Sequence, residues 1–246
     1  MLKLIIIFLL IPICGLTQNR QSIYFSASPT YSYRFYKVKP NGNIYNKYGT
    51  QPEDAKSELD STEFSTIGFD FDLGINFHLN KSTVSVGLGF SHFGENDLRT
   101  YSFGHFDWTT FTPVYDGYEE MKSSFRYSVI CLPITYGYKL LSGKISLSIF
   151  AGLKPGYLVS QKYIRPERYE EVFYKSDLKF ETAQFSNFVL SGFLGVRIEK
   201  DLGEKWSVGL EPNFNLQLTP LLNFETELFQ YNYQVGVFCR VCRKIK

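Results

Sequence analysis

The chain has 246 residues, a formal charge of +2 and 20% charged residues. That near-neutral balance calls for no nucleic acid and no acidic partner. Its aromatic share of 17%, with 18 Tyr and 23 Phe, is high for a soluble domain and suits a barrel with aromatic girdles at two membrane interfaces.

The N-terminus opens with Lys3, an apolar run from Leu4 to Ile13 broken by Pro12, and then Gly15, Thr17 and Gln18. This is the pattern of a secretory signal peptide, too short for a stable transmembrane helix. Residues 1–18 are read as the signal and 19–246 as one barrel domain. Cys14 raises the alternative of a lipidated N-terminus, against which the bulky Ile13 argues. Loss of Lys3 leaves the mature chain at +1. No later stretch is long and apolar enough for a membrane helix.

Eight segments follow in which apolar and polar side chains alternate, the period of a strand with two unlike faces. The first runs from about Ser22 to Tyr36, with Ile23, Phe25, Ala27, Pro29, Tyr31, Tyr33 and Phe35 on one parity. The second, about Glu63 to Asn80, is the clearest. Ile67, Phe69, Phe71, Leu73, Ile75, Phe77 and Leu79 share one face, while Asp70, Asp72, Asn76 and His78 share the other. The third spans about Ser82 to His92, the fourth Ser123 to Leu140 and the fifth Lys144 to Ser160. The sixth spans Ser186 to Lys200, the seventh Lys205 to Thr219 and the eighth Leu228 to Arg240. Pro29, Pro133 and Pro155 fall inside these segments, where a ladder donor is lost.

The connections alternate in length. Asn80-Lys81, Leu141-Ser142-Gly143 and Asp201 to Glu204 are tight turns, with residues that hairpins favour. Lys37 to Thr62, Phe93 to Lys122 and Gln161 to Phe185 read as long loops, with a shorter one near Pro220 to Glu227. A soluble sheet buries its apolar face in a core, whereas a membrane barrel turns it to lipid. The sorted loops and the export signal favour the second. The expected fold is all-β: an eight-stranded antiparallel up-and-down transmembrane β-barrel. With the N-terminus in the periplasm, Tyr31, Tyr33, Tyr157, Tyr231 and Tyr233 fall near the outer interface. Phe77, Tyr136, Tyr138 and Trp206 then fall near the periplasmic one.

The inward parity carries Arg34, Asp70, Asp72, Lys154, Arg197, Glu199 and Glu211. Eight strands leave an interior just wide enough for side chains, and an unpaired charge there is costly. These residues are expected to pair into a plug. A narrow ion path or a pocket at the barrel mouth is the functional alternative.

Candidate chemistry is sparse. His92, in Ser91-His92-Phe93-Gly94-Glu95, supplies the residue types of a hydrolytic triad. Small barrel enzymes that trim lipid A resemble this, but their serine follows the histidine by two positions, where Gly94 stands here. Ser91 also points to the opposite face from His92. His78 reads as an interior polar residue and His105 as a loop residue. No catalytic residue, metal site or cofactor is assigned. Cys239 and Cys242 form a C-x-x-C without a second pair, best read as two incidental thiols. The segment Phe93 to Lys122 is rich in aromatics. Tyr101, Phe103, Trp108 and Tyr115 are candidates for a partner-binding loop, with packing over the barrel mouth or contact with lipid headgroups as alternatives.

The stretch Ser128-Val129-Ile130-Cys131-Leu132-Pro133-Ile134-Thr135-Tyr136-Gly137-Tyr138, with the signal and the eight alternating segments, resembles the PorT-like family of small outer-membrane β-barrels. That family is similar in architecture to OmpA-type eight-stranded barrels. The resemblance implies residence in the outer membrane of a Gram-negative bacterium, outer-membrane lipid as surroundings, and a non-enzymatic structural, adhesive or secretion-accessory role. A protein partner would then meet the extracellular loops. A lipid-modifying barrel enzyme and a narrow passive channel are the alternatives. Such barrels usually end on an aromatic residue that the insertion machinery reads. This chain ends Phe238-Cys239-Arg240-Val241-Cys242-Arg243-Lys244-Ile245-Lys246, so Phe238 is the candidate for that signal, with a degenerate signal as the alternative.

Overall fold

The computed structural model describes residues 21–38, 63–107, 109–110, 112–169, 172–178, 184–223 and 228–245. The signal segment and most of Lys37 to Thr62 therefore lie outside the described residues. Eight long strands form the wall: β1 (Gln21–Val38), β2 (Thr66–Leu79), β3 (Ser82–Asp107), β4 (Thr112–Cys131, continuing as Ile134–Leu141), β5 (Ile145–Tyr169), β6 (Phe188–Leu202), β7 (Trp206–Gln217) and β8 (Leu228–Ile245). Each pairs antiparallel with its neighbours in sequence. β1 then pairs with β8, from Gln21 opposite Ile245 to Val38 opposite Leu228. That last ladder closes the ring, so within the ring no strand is left as an edge.

Alternation along the strands now acquires a direction. Ile67, Leu73, Leu88, Tyr157 and Leu194 are between 56% and 66% exposed, whereas Ser32 and Glu95 are 0%, Gln230 1% and Asp70 2% exposed. Apolar side chains cover the outside and polar side chains fill the inside. In water that arrangement forfeits the hydrophobic driving force. In a bilayer, lipid takes the place of the core while the closed ladder satisfies every strand. The chain is a transmembrane β-barrel.

The tight turns sit together at one end. Leu79 pairs with Ser82 across Asn80 and Lys81, and Asn80 adopts φ 52°, a left-handed conformation that asparagine tolerates. Leu202 pairs with Trp206, and Gly203 supplies φ 74° in that turn. The other end differs from the loops expected of it. Phe93 to Lys122 is largely strand: β3 and β4 stay paired from Gly89 opposite Cys131 to Asp107 opposite Thr112. β5 likewise runs on to Tyr169 and pairs there with Val172–Leu178. A mixture of polar and aromatic residues without one sustained apolar parity concealed these strands, because a hairpin standing in water has no lipid face to keep apolar.

The prolines have a local account. The β1–β8 ladder skips Ser28 and Pro29. Pro133 breaks β4 in two, yet its carbonyl accepts from the Gly87 N–H at 3.0 Å, and the Pro155 carbonyl accepts from the Leu132 N–H at 2.8 Å. Val159 bulges out of the β4–β5 ladder, since Ser128 opposes Ser160 while Val129 opposes Leu158.

Candidate functional site: a charge-filled lumen

Every charged residue expected inside is on the inner wall, and the structure groups them at successive levels. Midway, the Lys154 Nζ on β5 donates to Asp70 Oδ2 at 3.1 Å and stands 3.9 Å from Asp72 Oδ1, both on β2. Its ammonium also lies over the rings of Phe193 and Phe238, at 5.8 and 5.6 Å from their centroids. Toward the turn end, Glu211 accepts from Arg197 Nε and is 3.2 Å from Arg240 Nη1. The Arg240 guanidinium covers the Tyr24 ring at 3.6 Å and donates to Asn76 Oδ1 at 2.5 Å. Asn76 in turn donates to Ser22 and accepts from Ser85, each at 2.8 Å. Glu199, nearer the turns, accepts from Ser207 at 2.5 Å and has no ion-pair partner among the described residues.

At the hairpin end Arg34 Nη1 stands 3.6 Å from Glu95 Oε1. The same carboxylate accepts from the Tyr127 hydroxyl at 2.8 Å and from Gln230 Nε2 at 3.0 Å. Two members of this network, Glu95 and Arg240, were not expected from sequence. Glu95 fell in a supposed loop, and Arg240 at the supposed end of the last strand. Glu95 shares the inward parity once β3 is extended, and Arg240 has it already within the strand from Leu228 to Arg240; that is the signal that could have found them. Among the described residues, Arg34, Lys154, Arg197 and Arg240 are thus enclosed with Asp70, Asp72, Glu95 and Glu211, and their formal charges balance.

The remaining space is small. One cavity of about 20 Å³ is lined by Ser91, Lys154, Asn215, Gln217, Asn232 and Gln234. A second of the same volume lies between Asp72, Thr135, Arg197 and Arg240. Each has room for about one water molecule. Aromatic rings also lie close on lumenal glycines. A Cβ on Gly87 would fall 2.5 Å from the Tyr24 hydroxyl, one on Gly152 would fall 2.6 Å from Phe193, and one on Gly195 would fall 2.7 Å from Phe150.

The triad residues of the sequence do not meet. Ser91 and Glu95 face the lumen, and both are buried. His92 faces outward, stacks on Phe69 with centroids 5.1 Å apart, and its Nδ1 is 3.0 Å from the Ser128 hydroxyl. His78 bonds to Ser22 at 3.0 Å and Thr83 at 3.3 Å. Cys239 is exposed and Cys242 buried, since residues three apart in a strand face opposite ways. They therefore form no joint site. Phe238, the candidate insertion signal, is buried on the lumenal side. Trp108 lies outside the described residues. Tyr101, Phe103 and Tyr115 lie on the paired backbone of the β3–β4 hairpin, with Tyr101 opposite Glu119 and Gly104 opposite Tyr115.

No family model matches the sequence, and no curated protein does. Solved structures do. Neisserial surface protein A is 7% identical over 90% of this chain and 96% of its own, with a TM-score of 0.40. The outer membrane protease OmpT from Escherichia coli is 9% identical over 93% and 98%, with a TM-score of 0.45. Ail, the attachment invasion locus protein of Yersinia pestis, is 11% identical over 90% and 98%, with a TM-score of 0.30. The assignment as a barrel stands on the closed ring and its inverted faces.

Proposed function

We propose that this protein is a non-enzymatic, non-conducting barrel of a Gram-negative outer membrane, exported by its signal peptide and belonging with the PorT-like proteins. Its role is structural, adhesive or secretion-accessory, exercised through the hairpins at the far end from the turns. The observation that carries this reading is the balanced network of eight enclosed charges. The two cavities between them each hold about one water molecule, which favours a plug over an ion path. Glu95, the acid a hydrolytic triad would need, is committed to Arg34, Tyr127 and Gln230 inside the wall, which favours a scaffold over a lipid-modifying enzyme. Meanwhile β3 continues for 15 residues past His92, roughly 50 Å of strand at the usual rise. So long a paired hairpin is a platform for a protein partner.

Planar-bilayer recording tests the plug. Purified protein is expected to give no unitary current steps at any holding potential. Reproducible steps would move the reading to a passive channel. A lipid A profile that changes when His92 is replaced with alanine would move it to the enzyme.

A further inference from the structure

On three adjoining strands the outward row changes character at one level. On β3 it passes from Leu88 and Phe90 to His92; on β4, from Leu132 and Ile130 to Ser128 and Arg126. On β5 it passes from Tyr157 and Val159 to Ser160 and Lys162. The ladders set these residues side by side, with His92 opposite Ser128, Ser128 opposite Ser160 and Arg126 opposite Lys162. His92 lies ten residues above its turn, about 25 Å along the barrel axis for strands tilted near 40°. That is the height of the apolar band of such barrels. The change therefore falls where lipid headgroups begin.

The patch is built rather than incidental. Arg126 lies across the outer face of β3. Its Nη1 donates to the carbonyls of Glu95 at 3.2 Å and Phe125 at 2.9 Å, and its Nη2 to Asn96 Oδ1 at 3.3 Å. Ser124, directly opposite on β4, donates to Asn96 Oδ1 at 2.7 Å. Gly94 leaves room for this, since a Cβ there would fall 3.1 Å from Arg126 Cδ. These bonds fix the guanidinium and leave two of its five N–H donors uncommitted. Among the described residues neither Arg126 nor Lys162 has an ion-pair partner. Below the cations lies an aromatic shelf. Phe69 packs on His92, on Phe90 with centroids 6.0 Å apart, and on Phe71 at 5.3 Å.

We infer that this outer-wall patch binds a phosphorylated lipid of the outer leaflet. Arg126 and Lys162 meet the phosphate, Ser128 and His92 add hydrogen bonds, and acyl chains lie on the Phe69 shelf. A fixed guanidinium with an exposed lysine beside it, at the upper edge of a lipid-facing aromatic surface, fits a ligand that is anionic at the head and apolar below it. A free phosphate would use only the upper half of the patch. The inference rests on the proposed outer-membrane residence only for the supply of that lipid.

The test uses the full mature chain in detergent micelles, so it can fail independently of localisation. Binding of bisphosphorylated lipid A is measured by native mass spectrometry for the wild type, R126Q/K162Q, K162Q alone and the charge-matched K144Q/K205Q at the turn end. Loss of two cations at the patch is expected to weaken binding about tenfold or more. K162Q should have a smaller effect and K144Q/K205Q little. Millimolar inorganic phosphate should not displace the lipid. The proposal is overturned if R126Q/K162Q binds like the wild type, if K144Q/K205Q loses as much, or if inorganic phosphate competes fully. Because Lys162 is exposed, K162Q keeps the question open to decision even where the double variant fails to fold.

Discussion

Among the described residues, Lys154 is the cation that pairs with both Asp70 and Asp72. A buried ion pair is weak evidence of net stabilisation, but deleting one partner strands the other in a low dielectric. Lys154→Met is therefore expected to destabilise the barrel by about 3–5 kcal/mol, read as a lower urea midpoint in liposomes. Adding Asp70→Asn and Asp72→Asn should recover much of that loss. If Lys154→Met alone unfolds like the wild type, the carboxylates are not held by this lysine. The inner charges were readable in sequence wherever alternation was strong, as along Ile67 to Leu79. Their partners were not, because pairing is fixed by ring closure: Lys154 and Asp70 are 84 residues apart.

At the scale of the strand, the two faces obey opposite rules. The lumenal Gly87 on β3 faces the Tyr24 hydroxyl, and the ring meets the Arg240 guanidinium. Gly87→Ala forces that ring to move and is expected to cost about 1–3 kcal/mol in the same unfolding measurement. On the lipid face, Leu73→Arg near mid-strand should cost about 2–4 kcal/mol in bilayers. A similar penalty for Thr109→Arg, in the exposed turn of the β3–β4 hairpin, would contradict the assignment of the lipid band. Alternation located all eight wall strands, but it understated β3, β4, β5 and β8. β3 to β5 outrun the bilayer into water, where the polar and apolar sides lose their contrast. β8 continues past Arg240 through Cys242 to Ile245, where a run of basic residues resembles a tail.

For the whole molecule, closure is the step that makes a membrane protein of an amphipathic sheet. Residues Gln21 to Ser26 of β1 pair with Arg240 to Ile245 of β8, so a chain ending at Cys239 lacks the seam at the turn end and also Arg240. Such a truncation is expected to abolish the heat-dependent mobility shift of a folded barrel on electrophoresis, and a preserved shift would show that the seam is dispensable. The central claim is that the greasy parity of Ile67 to Leu79 faces lipid. The most direct measurement places nitroxide labels singly at Ile67, Phe69, Phe71, Leu73, Ile75 and Phe77 in liposomes, with Cys131, Cys239 and Cys242 replaced by alanine. Oxygen should reach these labels better than a water-soluble nickel chelate, most of all near Leu73, with the advantage falling toward both ends. Labels more accessible to the chelate throughout, with no maximum along the strand, would contradict the account.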